Sequence, residues 1–399
     1  MAEVLLDDVS RVYADGGVAV AGLTLHVRHG ELLALVGPSG SGKSSILRLI
    51  AGLEPVASGT VSIGGRVVND VEPQDRNVAM VFEGDSLYPH LTAGRNLRFG
   101  LELGRVPKQE IDQRVQAESR VLGVARLLNL LPKALSAGER QRVAVGRATV
   151  RVPEVFLLDE PLTHLDAAQR DRLRVELVRL LRGLGVTAIY VTHDQGQAMA
   201  IGDRIAVLRA GRLEQVGRPS ELYRAPANTF VASFLGMPGM SLVVATLERD
   251  AESAWIVIGG QRLHFPGVPS GPLRAYLGRQ VVVGLRPEHV SDARLAPDRA
   301  SRRHLRLTAV RVEHLGSELL VTCAVDAPTI EVSDGPEDAW AGHDAIAAGA
   351  GGAGPRATLL ARFPRQASVR RGEWVDLAVD VTQLSYFDPV EGAALWHPA

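Results

Sequence analysis

Eight residues near the start of the chain, Gly37-Pro38-Ser39-Gly40-Ser41-Gly42-Lys43-Ser44, have the types and spacing that can hold a triphosphate. The glycines let the backbone curl so that successive N–H groups point inward at phosphate oxygens. A helix starting at the end of the loop adds partial positive charge. Lys43 would neutralise the β- and γ-phosphates, and Ser44 would ligate Mg²⁺. The chain has three lysines among 44 basic residues, so Lys43 stands out against an arginine-rich background. Taken alone, such a segment could be a chance glycine-rich turn. Its setting argues otherwise, because the apolar run 32–36 precedes it and a helical pattern from Ser44 to Ala51 follows.

Three further segments could act on a bound triphosphate. Val155-Phe156-Leu157-Leu158-Asp159-Glu160 is an apolar strand pattern ending in two acids. Buried strands rarely end so without a cation or donors nearby. Asp159 would hold Mg²⁺ through its water shell and Glu160 would polarise an attacking water as general base. A solvated strand end is the plainer alternative. His193 follows the pattern Tyr190-Val191-Thr192, where a histidine can contact the γ-phosphate and orient the water. Leu135-Ser136-Ala137-Gly138-Glu139 opens a helix, with Ser136 and Glu139 spaced as a capping box. That segment is at least a well-capped helix. Ser136, the backbone of Ala137 and Gly138 and the helix dipole could also form a second phosphate-binding surface for nucleotide held by another protomer.

These residues need a scaffold, and the patterning supplies one. Runs at 32–36, 78–82, 155–158, 187–191 and 205–208 are continuously apolar, as buried parallel strands require. The stretch 86–150 reads as mostly helical, an insert within an α/β core. After Gly236-Met237-Pro238-Gly239 the character changes to short strand-like runs separated by glycine, proline and charged turns, the signature of small all-β barrels or sandwiches. The expected domains are therefore 1–235, with a helical subdomain at about 86–150, and 236–399, with a flexible low-complexity insertion at about 330–356.

Composition sets further bounds. With 399 residues and 46% hydrophobic content the chain can bury more than one core. Basic and acidic residues nearly cancel, for a net charge of -1, so nucleic acid is not expected as a partner. Cys323 is the sole cysteine, which excludes disulfide scaffolds and all-cysteine zinc sites and fits a reducing cytosol. The first residues do not resemble a secretory signal, and no apolar stretch approaches the ~18 residues of a membrane span.

The segment 135–139 resembles the ABC-transporter signature, usually written LSGGQ, and the order of the other motifs is similar to that family's. The resemblance implies an α/β P-loop NTPase (a RecA-like core with an ABC helical subdomain) followed by an OB-like (TOBE) β-domain. It implies that Tyr13 stacks on adenine, that Ser45 joins the ATP-binding loop, that Thr163 to Asp166 form the D-loop, and that His193 is the switch histidine. Leu135, Ser136, Ala137, Gly138, Glu139 and Asp166 would then contact ATP across a dimer. Gly284-Leu285-Arg286-Pro287-Glu288-His289-Val290, Val312-Glu313-His314-Leu315-Gly316 and 236–240 are similar to motifs in the accessory domain of maltose, trehalose and glycerol phosphate importer ATPases. The match extends to actinobacterial sugar importers, in keeping with the arginine bias. The implied partners are a second ATPase subunit (an identical one, as a homodimer), two transmembrane permease subunits and an extracytoplasmic solute-binding protein. The implied location is peripheral, on the cytoplasmic face of the membrane. A regulatory nucleotide sensor with weak turnover and an importer ATPase for a non-sugar solute are the alternatives.

The chain departs from that family at Glu83, where a glutamine is usual after the strand pattern Val81-Phe82, and at Ala137 and Glu139, which replace a glycine and a glutamine. A carboxylate at 83 could join Ser44 and Asp159 in holding Mg²⁺. It would also set negative charge beside the γ-phosphate and disfavour the transition state. ATP hydrolysis is therefore expected to be slower or differently coupled than in Glu83→Gln. Rates that match across Mg²⁺ concentrations would show that the carboxylate is without consequence.

Overall fold

The computed structural model describes residues 2–82, 87–162, 167–250, 253–265, 267–295, 303–328, 330, 332 and 356–397. Glu83, Gly84, Asp85, the segment Thr163 to Asp166 and nearly all of 330–356 lie outside that set. The chain divides into two compact units, Met1–Pro219 and Ser220–Ala399. The boundary expected at 235/236 falls inside the second unit.

The first unit is built on a six-stranded sheet. Its order is Arg212–Gly217, Arg204–Arg209, Leu32–Val36, Thr187–Val191, Val155–Asp159 and Val78–Val81. All neighbours are parallel except the first pair. The strands at 32, 155 and 187 are buried at every residue, which explains their unbroken apolar runs. One face packs on the helix Lys43–Ala51 through Leu33, Leu35, Leu157 and Ile189 against Ile46, Leu47 and Ile50. The other face, with Phe156, Leu158 and Tyr190, is covered by Ala137–Thr149 and Ala167–Leu184.

A second sheet was not anticipated from the sequence. It is four-stranded and antiparallel, in the order Val18–Val27, Val4–Val12, Ser58–Ile63 and Arg66–Val67. Val4, Leu6, Leu23, Leu25 and Val61 share one core with the helix Lys43–Ala51 and the parallel sheet. That helix is therefore clamped between two sheets. The insert contains Ala93–Leu103 and Lys108–Val121, which with Ala137–Thr149 bury Leu97, Leu101, Ile111, Val115 and Val143 in a separate core.

The second unit carries two antiparallel sheets over one core. The six-stranded sheet runs Gln261–His264, Ala254–Ile258, Ser241–Arg249, Gln280–Leu285, Ser385–Phe387, Ala394–Trp396. The five-stranded sheet runs Val290–Asp292, Trp374–Val379, His304–His314, Glu318–Pro328, Arg356–Pro364. Ser241–Arg249 alternates buried and part-exposed residues along its length, as a strand with one core face must. Cys323 sits in that core, where burial pushes its thiol up to about 12, so it is neutral packing material. The short helix Thr229–Phe234 belongs here because backbone bonds tie Thr229 to Gly392 and Ala394 to Ala227, and Tyr223 near the end of Pro219–Arg224 is tied in by its carbonyl, which accepts from Arg286.

One buried cation secures the helix Lys43–Ala51 from behind. Arg76 is 5% exposed. Its guanidinium donates to the carbonyls of Leu49 (2.8 Å) and Ile50 (3.1 Å) at the helix C-terminus, and to those of Val71 (2.8 Å) and Asn69 (3.2 Å). Helix ends leave such carbonyls without partners, and a cation there also complements the dipole. Arg76→Ala should lower stability by about 3 kcal/mol in urea unfolding, because several buried acceptors lose their donor together. A loss under about 0.5 kcal/mol would mean that water replaces the guanidinium at little cost.

Candidate nucleotide site

Three adjacent parallel strands deliver the chemistry to one sheet edge. Leu32–Val36 leads into the glycine loop, Thr187–Val191 into His193, and Val155–Asp159 into Glu160. Asp159 is paired in register with Val191, and Val191 with Leu35. The ends therefore converge outside the carboxyl edge, where open α/β sheets bind ligands.

The loop requires glycine at two positions. A Cβ on Gly37 would lie 2.3 Å from the Leu208 carbonyl oxygen. Gly42 has φ 94°, and a Cβ there would lie 2.2 Å from the Ala19 carbonyl oxygen. Larger residues would strain the turn and push the backbone from its curl. The Lys43 side chain is 7% exposed. Its ammonium donates to the carbonyls of Gly37 (2.9 Å) and Pro38 (2.8 Å), with the Ser41 hydroxyl at 3.3 Å. Ser39 and Gly40 complete the turn, Gly40 at φ 79°. Burial holds the Lys43 pKa below the ordinary lysine range, while the charges of Glu160 and Asp159 pull it upward.

The acids are brought to the loop. The Ser44 hydroxyl donates to Asp159 Oδ1 at 2.9 Å, across 115 residues of sequence. Glu160 sits at φ 44°, a left-handed conformation rare for a side chain of this size, and its N–H is anchored on the Val191 carbonyl. Its carboxylate lies 2.7 Å from His193 Nδ1. The sequence patterns nominated both residues but gave no sign of this direct bond. Only the adjacency of two strands shows it.

Tyr13 stands at the flank of the loop. Its hydroxyl is 3.0 Å from the Ser45 hydroxyl and the Arg11 guanidinium lies 5.2 Å from its ring centroid. The ring is partly exposed, so a face remains for a planar ligand. Ser136 caps Ala137–Thr149 in a full capping box: its hydroxyl accepts from the Glu139 N–H at 3.3 Å, while the Glu139 carboxylate accepts from the Ser136 N–H and hydroxyl, each at 2.9 Å. Those backbone and hydroxyl bonds from Ser136 hold the Glu139 carboxyl below the usual range, so it stays ionised. Leu135 is buried, and its carbonyl accepts from Arg140. Glu83 and Asp166 fall outside the described residues.

Asn96, which the sequence reading did not single out, is fully buried. Its amide accepts from Tyr88 N–H and donates to the carbonyls of Tyr88, Leu91 and Thr92, fixing the segment 87–92. Such a residue is hard to find from spacing, because an asparagine in a helical pattern reads as surface.

A strand, a glycine loop closed by a lysine, a Ser–Asp pair and a strand-end Glu–His pair on a parallel sheet define a P-loop nucleoside triphosphatase. The ABC transporter family matches residues 20–163, and the MalK OB fold domain matches residues 236–290. The trehalose/maltose import ATP-binding protein of Thermococcus litoralis is 43% identical, over 99% of this chain and 100% of its own length. The trehalose import ATP-binding protein of Mycobacterium tuberculosis is 41% identical, over 100% and 99%. The sn-glycerol-3-phosphate import ATP-binding protein of Paraburkholderia xenovorans is 38% identical, over 98% and 99%. The chain belongs to the ABC transporter ATP-binding family, in the branch with a MalK-type OB domain, and is an ATPase of that class. Among the described residues no helix is long and apolar enough to cross a membrane.

The state of Lys43 gives a pH dependence. A lysine whose pKa is depressed in the folded, nucleotide-free protein binds its proton less tightly there than in the unfolded chain. Its contribution to the stability of that form therefore rises with pH up to the ordinary lysine range. Phosphate oxygens favour the charged form, so nucleotide binding should take up a proton at alkaline pH. ATP affinity is expected to fall as pH rises toward the ordinary lysine range. Calorimetry in two buffers of different ionisation enthalpy measures the uptake. Zero uptake throughout would show that Lys43 is fully protonated before ATP arrives.

Proposed function

We propose that this chain is the motor subunit of an importer that couples ATP hydrolysis to carbohydrate uptake, with an oligosaccharide, a disaccharide of the trehalose or maltose type, or glycerol phosphate as solute. The observation that carries the reading is the joint presence of the phosphate loop, the Ser44–Asp159 pair and the Glu160–His193 pair on one sheet edge. The full-length likeness to three import ATP-binding proteins supports the choice of solute class.

In this reading Gly37 to Ser45 and Lys43 bind the phosphates and Tyr13 the adenine. The hard oxygen donors Ser44 and Asp159 fit Mg²⁺, with Glu83 as a further carboxylate, and the glycine loop leaves space that a Cβ would fill. The bound ion would neutralise phosphate charge. Glu160 draws a proton from the attacking water, and His193, held to Glu160 by its Nδ1, keeps that carboxylate oriented and presents its ring to the γ-phosphate. Lys43 supplies positive charge where the β,γ-bridge breaks.

The second half of the site comes from a second copy. Leu135, Ser136, Ala137, Gly138 and Glu139 open a helix whose dipole favours an anion, and with Asp166 they would seal ATP held by the partner subunit. Closure and reopening of such a pair would drive two permease subunits, which would receive force at the segment 87–92 that Asn96 fixes. A solute-binding protein would present cargo from the far side. The chain would sit peripherally on the cytoplasmic face. A sensor with weak turnover is the second reading, favoured only by the carboxylate at 83.

Glu160→Gln should reduce ATP hydrolysis at least about a hundredfold while preserving ATP binding, and should accumulate an ATP-dependent dimer on size-exclusion chromatography. Adding Ser136→Ala should abolish that dimer. A monomer in saturating ATP from Glu160→Gln would sink the paired-site reading. A parent without measurable hydrolysis would favour the sensor.

A further inference from the structure

The motif Arg286-Pro287-Glu288-His289 plays no part in nucleotide chemistry, yet its Arg286 and His289 line a cavity of about 390 Å³ within the second unit. The lining comes from three places: Tyr223 and Arg224 at the end of Pro219–Arg224, Met240 with Arg286 and His289 around the strand Gln280–Leu285, and Gln383 with Ser385 near the chain's end. That volume falls in the range of small-molecule sites, roughly 300–1,000 Å³.

The charge inside it is unusual. Arg286 is 2% exposed. Its guanidinium lies flat on Tyr223, 3.5 Å from the ring centroid, and donates to the carbonyls of Leu235 (2.7 Å) and Tyr223. Glu288, two residues on, turns its carboxylate to the Tyr223 hydroxyl instead. No carboxylate comes within ion-pair distance of Arg286 or Arg224 among the described residues, although the nearby Glu288 charge favours the protonated form of Arg286. The nitrogen Nδ1 of His289 is closed off from solvent and has no hydrogen-bond partner. A buried guanidinium with no carboxylate in direct contact is costly, and the Glu288 charge offsets that cost only in part. An anion in the cavity would answer the cost of the guanidinium.

We propose that this cavity binds a small oxyanion-bearing metabolite, with its phosphate or carboxylate held by Arg286 and Arg224. The stacking of Arg286 on Tyr223 fixes the plane of its fork, which suits bidentate contact with a phosphate or carboxylate. Gln383 supplies hydrogen bonds for the polar body of the ligand, flanked by Ser385, whose hydroxyl lies 3.2 Å from His397 Nδ1. Tyr223 and Met240 supply its apolar contact. The bonds from Arg286 to Leu235 and Tyr223 also join the ends of the two short helices, so an anion on the same guanidinium acts on the group that holds those ends together.

The test uses the full chain carrying Lys43→Ala, which weakens the glycine loop as a competing phosphate site. Inorganic phosphate, glycerol 3-phosphate, glucose 6-phosphate and succinate are titrated separately by calorimetry, with trehalose as the neutral control. The expected result is saturable binding of at least one anion, at one site per chain, with no binding of trehalose. Adding Arg224→Ala, a change at an exposed side chain, should weaken it at least about tenfold. Binding of the phosphates but not succinate assigns a phosphate ligand; the reverse assigns a carboxylate; either upholds the site. The proposal is overturned if none of the four anions binds up to about 10 mM. It is equally overturned if binding survives unchanged in Arg224→Ala combined with Gln383→Ala.

Discussion

A lysine ammonium almost shut off from water and held on carbonyl oxygens is the constraint around which the first unit is organised. Lys43 can be held so because the loop beneath it turns its carbonyls of Gly37 and Pro38 toward the amine. The loop can do that only where Gly37 and Gly42 pass against backbone that no side chain could clear. The helix that begins at Lys43 must then be immovable, and two sheets and the Arg76 guanidinium make it so. A preformed cation in a dry setting meets phosphate without much reorganisation, which is where an electrostatic catalyst gains most.

The sheet order supplies the remaining geometry. Leu32–Val36, Thr187–Val191 and Val155–Asp159 are neighbours in space though not in sequence. Their ends bring Ser44 to Asp159 and Glu160 to His193. The strained conformation of Glu160 belongs to this arrangement, since its N–H is tied to Val191 on the next strand while its carboxylate reaches the histidine. Such strain persists where the surroundings over-determine it.

The parallel strands were legible because burial on both faces leaves no room for polar residues, so the runs at 32, 155 and 187 are continuous. The N-terminal antiparallel sheet was not, because its alternation is broken by register shifts between Leu6 and Val9 and again by Arg11, which blur a period of two. Residues in the phosphate loop carry their chemistry in their spacing. Asn96, Arg76 and Arg286 do not, because each acts on carbonyls that only the folded chain brings near. Composition placed the domain change at Gly236, where β-rich sequence begins. The compact division lies earlier, since ahead of Gly236 the Thr229 N–H donates to the Gly392 carbonyl and the Ala227 carbonyl accepts from Ala394 N–H.

The capping box at Ser136 has a further meaning. Its hydroxyl and N–H are already engaged by the ionised Glu139 carboxylate, the kind of group a γ-phosphate would have to replace. The helix start thus carries a decoy anion of its own. In the proposed pairing, a visiting triphosphate must evict that tenant before it can dock, so sealing becomes an exchange of one negative group for another. Under that proposal a lone subunit would keep this surface self-quenched, and a partner presenting the more highly charged rival would open it.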